Sequence, residues 1–284
     1  LLLDGAVNGY DLSGAAYDSK SLSISSQEGT ARGVAISSDG TKMYICGSDN
    51  DTVYQYALTT AFDVSTGSYA NKSFSVASQA TFPAQPTFNY DGTKLWIVDV
   101  GNDALFQYTL STAWDISTAS YDSKSFSLSS QDTSNQGIFM RQDDGLKLYL
   151  MAADDKVYQY TLSTAWDIST ASYDSKSYSV NSEETTPTEV FFSSDGLKFF
   201  ISGLSGDDVT EYSMTTAWDV STASPTGNTV LSQATQPYGL FFKPDGTKMY
   251  IVTDTNDTIY QYSTSEAITI TWDADIEWGG GTAP

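Results

Sequence analysis

The chain contains no histidine and only one cysteine, Cys46. Without histidine the commonest general base and neutral metal ligand are missing, which removes Ser-His-Asp and Cys-His catalysis and ordinary zinc chemistry. One cysteine cannot close an intrachain disulfide. Cations are scarce too: 13 Lys and Arg stand against 35 Asp and Glu, a formal charge of -22 over 284 residues. Such a surface repels nucleic acid and anionic membranes, so nucleic acid is discarded as a partner. No apolar run approaches the roughly eighteen residues that span a bilayer, which argues against membrane insertion. The chain opens at Leu1 without a basic, signal-like stretch and reads as processed or trimmed.

What is present is a repeat. Hydrophobic residues make up 40% and aromatics 13%, ample for a core. A unit of about 52 residues (the spacing from Tyr17 to Tyr69) runs five times. One tag is Tyr54-Gln55-Tyr56, Phe106-Gln107-Tyr108, Tyr158-Gln159-Tyr160, Thr210-Glu211-Tyr212 and Tyr260-Gln261-Tyr262. Another is Asp-Gly, ending at Gly40, Gly92, Gly145, Gly196 and Gly246. A period of this length means a solenoid, a propeller or an array.

Each unit reads as four short strands. Gly33–Ile36 leads into the Asp-Gly turn, a strong hairpin signal. Lys42–Ile45 is apolar on both faces, as a strand inside stacked sheets would be. Val53–Tyr56 alternates, and Lys72–Val76 is polar and Ser-rich. The apolar-to-polar order is that of a propeller blade, inner strand to outer. The outer segment Tyr-Asp-Ser-Lys-Ser at Tyr17 precedes any inner strand, whereas the fifth unit stops after Tyr262. The expected fold is therefore all-β: a five-bladed β-propeller of four-stranded blades over residues 1–264, closed by the N-terminal strand completing the last blade. Residues 265–284, with Gly279-Gly280-Gly281, read as a strand and Gly-rich linker to a following module.

Positions that repeat in every copy are read first as scaffold. Asp51, Asp103, Asp155, Asp207 and Asp257 share one loop position, and acid-rich loops suit calcium. They lack the dense spacing of a calcium loop, so the turn reading leads and weak Ca2+ binding is the alternative. Tyr10, Phe62, Trp114, Trp166 and Trp218 read as a hydrophobic plug, with sugar stacking as the minor reading. The copies disagree just before the inner strand, where Arg32, Ala84, Gln136, Thr188 and Tyr238 are followed by Gly33, Gln85, Gly137, Glu189 and Gly239. Arg32, Gln85, Gln136, Glu189 and Tyr238 are thus the candidate ligand-binding residues, ringing one channel mouth and suited to a polar ligand such as a glycan. A solvated funnel with no ligand fits the same residues. A propeller glycosidase needs two or three converging carboxylates, and Glu189 alone qualifies there, with Glu28, Glu183 and Glu184 further out.

The units Thr41-Lys42-Met43-Tyr44-Ile45 and Asp51-Thr52-Val53-Tyr54-Gln55-Tyr56, with the run from Ser111 to Ser127, resemble β-propeller repeats of marine bacteriophage structural proteins and bacterial surface proteins. The resemblance spans about residues 10–262, and the tail Ile270–Pro284 looks like the opening strand of a module in phage tail-associated proteins. It implies a non-enzymatic structural or receptor-binding protein of a virion, tail fibre or cell surface. Its implied partners are other virion or surface proteins and host polysaccharide, with homo-oligomers common among fibre proteins. Broader relatives include lactonase-like enzymes with more blades, but no catalytic set maps onto this chain. A carbohydrate- or lactone-acting hydrolase and a purely architectural protein remain the rival readings.

Overall fold

Four of the Asp-Gly pairs build the same tight turn, and the one at Asp144-Gly145 is a residue longer, with Gly145 N bonded to Arg141 O. The glycines Gly40, Gly92, Gly145, Gly196 and Gly246 have φ between 65 and 73°, a region costly for any residue with a Cβ. The aspartate side chain accepts the amide two residues on, as in Thr41 N to Asp39 Oδ1 at 3.0 Å and Thr247 N to Asp245 Oδ1 at 3.0 Å. That turn joins the inner strand of each unit to the next strand.

The structure, a computed structural model, describes residues 9–264. Its strands form five four-stranded antiparallel sheets, the blades. The inner strands are Ala31–Ile36, Pro83–Phe88, Asn135–Met140, Pro187–Phe192 and Pro237–Phe242 in blades one to five. In blade five the outermost strand is Ala16–Ser23, antiparallel to Thr258–Ser263, with Lys20 opposite Gln261 and Ser23 opposite Thr258. The N-terminal strand thus completes the last blade, as the displaced repeat required. Tyr10 N donates to Gly246 O at 2.9 Å, the bond that Trp114 N makes to Gly92 O in blade two. The expected strand and linker at 265–284 lie outside the described residues.

The core is five wedges, one between each pair of neighbouring blades. Tyr44, Cys46 and Val53 of blade one pack with Phe88, Leu95, Ile97 and Tyr108 of blade two. Ile259 and Val252 of blade five pack with Val34, Ile45 and Tyr56 of blade one. Each large side chain buried there contributes about 1.5–3 kcal/mol, so a blade is stable only beside its neighbours.

The glutamine of the Tyr-Gln-Tyr tag is an inter-blade clamp. Gln55 Oε1 accepts Ile116 N at 2.9 Å, Gln107 Oε1 accepts Ile168 N at 3.1 Å, Gln159 Oε1 accepts Val220 N at 3.2 Å and Gln261 Oε1 accepts Val64 N at 3.1 Å. Glu211 does the same for Leu12 N at 3.3 Å. Each bond ties one blade to the loop before the outer strand of the next. Four lysines repeat the tie on the surface, among them Lys20 to Asp63 at 2.6 Å and Lys72 to Asp115 at 2.5 Å. These exposed pairs contribute at most about 1 kcal/mol each, so the buried glutamines and the wedges carry the ring.

The aromatic series is a plug. The rings of Phe62, Trp114, Trp166, Trp218 and Tyr10 lie on the turn glycines, so close that a Cβ on Gly92 would meet the Trp114 ring at 2.2 Å. Each ring is also near the preceding blade: Tyr44 stacks on Trp114 at 6.1 Å and Trp96 on Trp166 at 5.8 Å. Tyr44, Tyr149 and Tyr250 donate their hydroxyls to the backbone carbonyls of Trp114, Trp218 and Phe62. Where Phe200 lacks a hydroxyl, Lys198 Nζ reaches Tyr10 O instead, at 2.9 Å.

Candidate functional site

The inner strands begin two residues earlier than their apolar pattern suggests. Arg32, Ala84, Gln136, Thr188 and Tyr238 are their second residues, and in every blade the pairing with the next strand slips there. A bulge of this kind leaves one residue unpaired and re-aims its side chain. The five candidate residues therefore do not form one open ring, and the expected single mouth is corrected as follows.

Gln85 and Glu189 point across the channel and are 5% and 1% exposed. Three blades carry glycine at that level, which makes the room. A Cβ on Gly33 would fall 2.5 Å from Gln85 Oε1, and one on Gly137 would fall 2.2 Å from Glu189 Oε1. Gln85 bonds both backbone groups of Val34 in blade one, Nε2 to the carbonyl at 3.0 Å and Oε1 from the amide at 3.3 Å. Glu189 Oε1 accepts Val190 N at 2.9 Å, and burial pushes its carboxyl well above the usual range. These two side chains constrict the channel rather than line a solvated funnel.

At the end where the inner strands start, Arg32 is held flat between the rings of Phe82 (4.6 Å) and Tyr238 (4.3 Å). Among the described residues it makes no ion pair and its Nε is buried without a partner. Apart from Lys42, every other Lys and Arg has a carboxylate within 3.0 Å. Gln136 turns back to Ser134, with Nε2 3.4 Å from its carbonyl. So Arg32 and Tyr238 come together, while Gln136 does not join them.

The cavity lies at the opposite end, where the inner strands finish in the Asp-Gly turns. It holds about 500 Å³, in the range of small-molecule sites, and its walls are mainly rings: Phe88, Phe139, Phe191, Phe241, Trp114 and Trp218. Of the candidate residues only Gln85 lines it. Phe139 and Phe191 meet edge to face at 5.2 Å, as do Phe191 and Phe241 at 5.5 Å. Most polar groups on its walls are already engaged: Asn89 Oδ1 accepts Lys94 N, Gln142 Nε2 donates to Phe88 O and Met140 O, and Tyr10 donates to Pro244 O. Ser38, Ser194 and the exposed Tyr90 also line it. Its one carboxylate, Asp143, is gripped by Arg141 through Nε at 2.5 Å and Nη2 at 2.6 Å.

The five turn aspartates have φ from 45 to 61°. Their carbonyls anchor the ends of the outer strands, for example Val76 N to Asp51 O and Leu231 N to Asp207 O. Among the described residues no three His, Cys, Asp or Glu side chains converge as a metal site, and no helix is long and apolar enough to cross a membrane.

Glu28 and Glu184, named in the sequence only as outlying carboxylates, are fully buried in the loops between blades, and their burial is not legible in the repeats because their partners are glycines. A Cβ on Gly47 would meet the Glu28 carboxyl at 2.7 Å, and one on Gly203 that of Glu184 at 2.1 Å. Blade two has Ala80 at the glutamate position, and Asp99 at the end of its second strand accepts the loop amide of Phe82 instead, at 2.7 Å.

The sequence matches no protein-family description and no curated protein. Its structure is similar to many solved ones, among them the following three. A functionally unknown protein from Desulfotomaculum acetoxidans is 14% identical, with 78% of this chain and 62% of that one covered and a TM-score of 0.49. A candidate 6-phosphogluconolactonase from Bacteroides fragilis is 14% identical over 79% and 64% of the two chains, with a TM-score of 0.49. Another from Bacteroides uniformis is 13% identical over 81% and 71%, with a TM-score of 0.47. This chain thus spans less than two thirds of the first two, and none of the three is described as a phage protein.

Proposed function

We propose that this propeller is a non-enzymatic recognition module whose channel takes one small, uncharged, ring-shaped molecule at the turn end. The ring-walled cavity carries this reading: its phenylalanines and tryptophans offer apolar contact on several sides, and few of its polar atoms are free. A charge of -22 disfavours an anionic ligand. A glycan fits this end only by stacking its apolar face, with Ser38, Ser194 and Gln142 Oε1 as the hydroxyl contacts. Display on a virion or cell surface, which the repeat's sequence resemblance implies, suits a module of this kind.

Trp114 and Trp218 make the test direct, because both line the cavity. Neutral sugars, aromatic alcohols and cyclic aliphatic alcohols are titrated against tryptophan fluorescence, with calorimetry on any hit. Saturable quenching that disappears in Phe191→Ala supports the reading. Silence across all three classes overturns it.

One observation favours the hydrolase alternative: Glu189 is a buried carboxyl beside the channel, and burial raises its pKa well above the usual range, the direction a general acid needs. Turnover of a sugar lactone or glycoside that is lost in Glu189→Gln would establish that rival.

A further inference from the structure

Blade four sets two buried carboxylates at a rung where each other blade has at most one. Where the second strand ends and the third begins, Gly203 pairs with Asp208, as Ala152 pairs with Lys156 in blade three. The carboxyl of Glu184 rests on Gly203 and so lies beside Asp208. Glu184 Oε1 accepts Thr186 N at 2.6 Å and Ser205 N at 3.2 Å, and Asp208 Oδ2 accepts Asn228 Nδ2 at 2.7 Å. The remaining oxygens, Glu184 Oε2 and Asp208 Oδ1, are buried and have no partner, although the two residues are only 1% and 5% exposed. Burial pushes the Asp208 carboxyl up, and the nearby Glu184 pushes it further.

Like Tyr262 OH of blade five, Tyr212 OH is buried without a partner, and it lies within electrostatic reach of Glu184 and Asp208. Its counterparts Tyr56 and Tyr160 donate to Gln27 and Gln131, but blade four has Glu183 at that position. In blade three the rung carries its own cation, Lys156, paired with Asp154 at 2.5 Å. Blade four supplies a second anion instead. Two neighbouring carboxylates out of water are costly unless a cation or a shared proton lies between them.

We infer that Glu184 and Asp208 hold a hard divalent cation, calcium, between the inter-blade loop and the following loop of blade four. Oxygen-only donors suit it, and two carboxylates completed by neutral oxygens and water place it in the weak class, with Kd of about 10⁻⁴–10⁻³ M. The site is distinct from the channel cavity and uses Asp208, the neighbour of the turn aspartate Asp207; no other blade has a carboxylate at the position of Asp208.

The test uses the full chain and calcium chloride, read by calorimetry, by thermal melts and by tyrosine-sensitised terbium luminescence that calcium displaces. Calcium at about 10 mM, ten or more times the expected Kd, raises the wild-type melting temperature. Asp208→Asn and Glu184→Gln weaken binding at least tenfold, whereas Asp51→Asn binds like wild type. Asp208→Lys copies the charge of blade three and melts independently of calcium. An equal calcium response in wild type and Asp208→Lys would mean general screening of the acidic surface and overturns the site. A wild type indifferent to calcium overturns it too, and a fall in stability from pH 5 to 8 that is smaller in Asp208→Asn than in wild type would then mean a proton shared by the pair.

Discussion

Substituting Ala70→Asp should stabilise the protein, although it adds one more negative charge to an acidic chain. In blades two, three and five an outer-strand aspartate gathers a lysine, a glutamine amide and a hydroxyl. Asp122 accepts Lys94 at 3.0 Å, Gln107 at 2.9 Å and Thr109 at 2.9 Å; Asp174 and Asp18 repeat this with Lys147 and Lys248. Burial raises the Asp122 carboxyl, but the three hydrogen bonds together outweigh it and hold it below the usual range. Blade four keeps the charge and moves it: Thr226 stands at the aspartate position, and Glu211 pairs with Lys198 at 2.8 Å. Blade one has Lys42 and Gln55 but Ala70 in place of the acid. Two hydrogen bonds to an ionised acceptor are worth about 1.5–3 kcal/mol each, and desolvation with lost rotamer freedom leaves a net gain of about 1 kcal/mol. For a protein of this size that is a melting-temperature rise of about 2–4 °C. Urea unfolding of wild type, Ala70→Asp, Lys42→Met and the double variant measures it. The gain should vanish in the Lys42→Met background, and also in acid, since a carboxyl of lowered pKa contributes only above its unfolded pKa. A midpoint that stays put or falls, or a gain that survives loss of Lys42, refutes the reasoning.

Glu189→Gln should stabilise the protein at neutral pH. A carboxyl with a raised folded pKa contributes fully below its unfolded pKa and loses that contribution as pH rises, at about 1.4 kcal/mol per pH unit. Urea midpoints at pH 5 and 8 should therefore lie closer together in the variant than in wild type, the remaining separation coming from other raised carboxyls such as Asp208; equal separation would show that Glu189 is ionised in the fold. Gly92→Ala should destabilise by about 2 kcal/mol or more, from positive φ and displacement of the Trp114 ring, seen as lost stability and altered tryptophan emission; a neutral result would mean the ring is not seated there. Below about pH 4 the ring should loosen, because Asp18, Asp63, Asp122 and Asp174 all have lowered folded pKa values and lose their contribution on protonation. Acid melts checked against a Lys72→Met control would reveal it, and stability flat down to pH 2.5 would contradict it.

The ring was legible in the sequence because its tags are backbone requirements: glycine at positive φ, aspartate beside it, and a glutamine that must reach the next blade. The site was not, for a reason visible at Arg32. A bulged residue shifts the in-and-out alternation, so the residues facing the channel cannot be counted from the strand's apolar pattern. A second column in which the copies differ lies further along the inner strands. It is Ala35, Thr87, Phe139, Phe191 and Phe241, with phenylalanine in three of the copies, and this column lies at the cavity. Phenylalanine in an apolar strand looks like core, which hid it. The pairing of Glu184 with Gly203 was illegible because a glycine that makes room leaves no chemical signature of its own.

The strand Ala16–Ser23 is synthesised first among the described strands, yet its partner Thr258–Ser263 is made last. During synthesis it must therefore wait, with both edges exposed, while more than four blades are made. Closing contacts of that sequence separation is slow, and an unpaired strand invites association with other chains in the meantime. Its composition suits the delay: Ala16-Tyr17-Asp18-Ser19-Lys20-Ser21-Leu22-Ser23 is mostly polar, charged at two positions and interrupted at Ser19 by a φ of 58°. A nascent chain can carry such a strand in water until the last blade is ready to receive it.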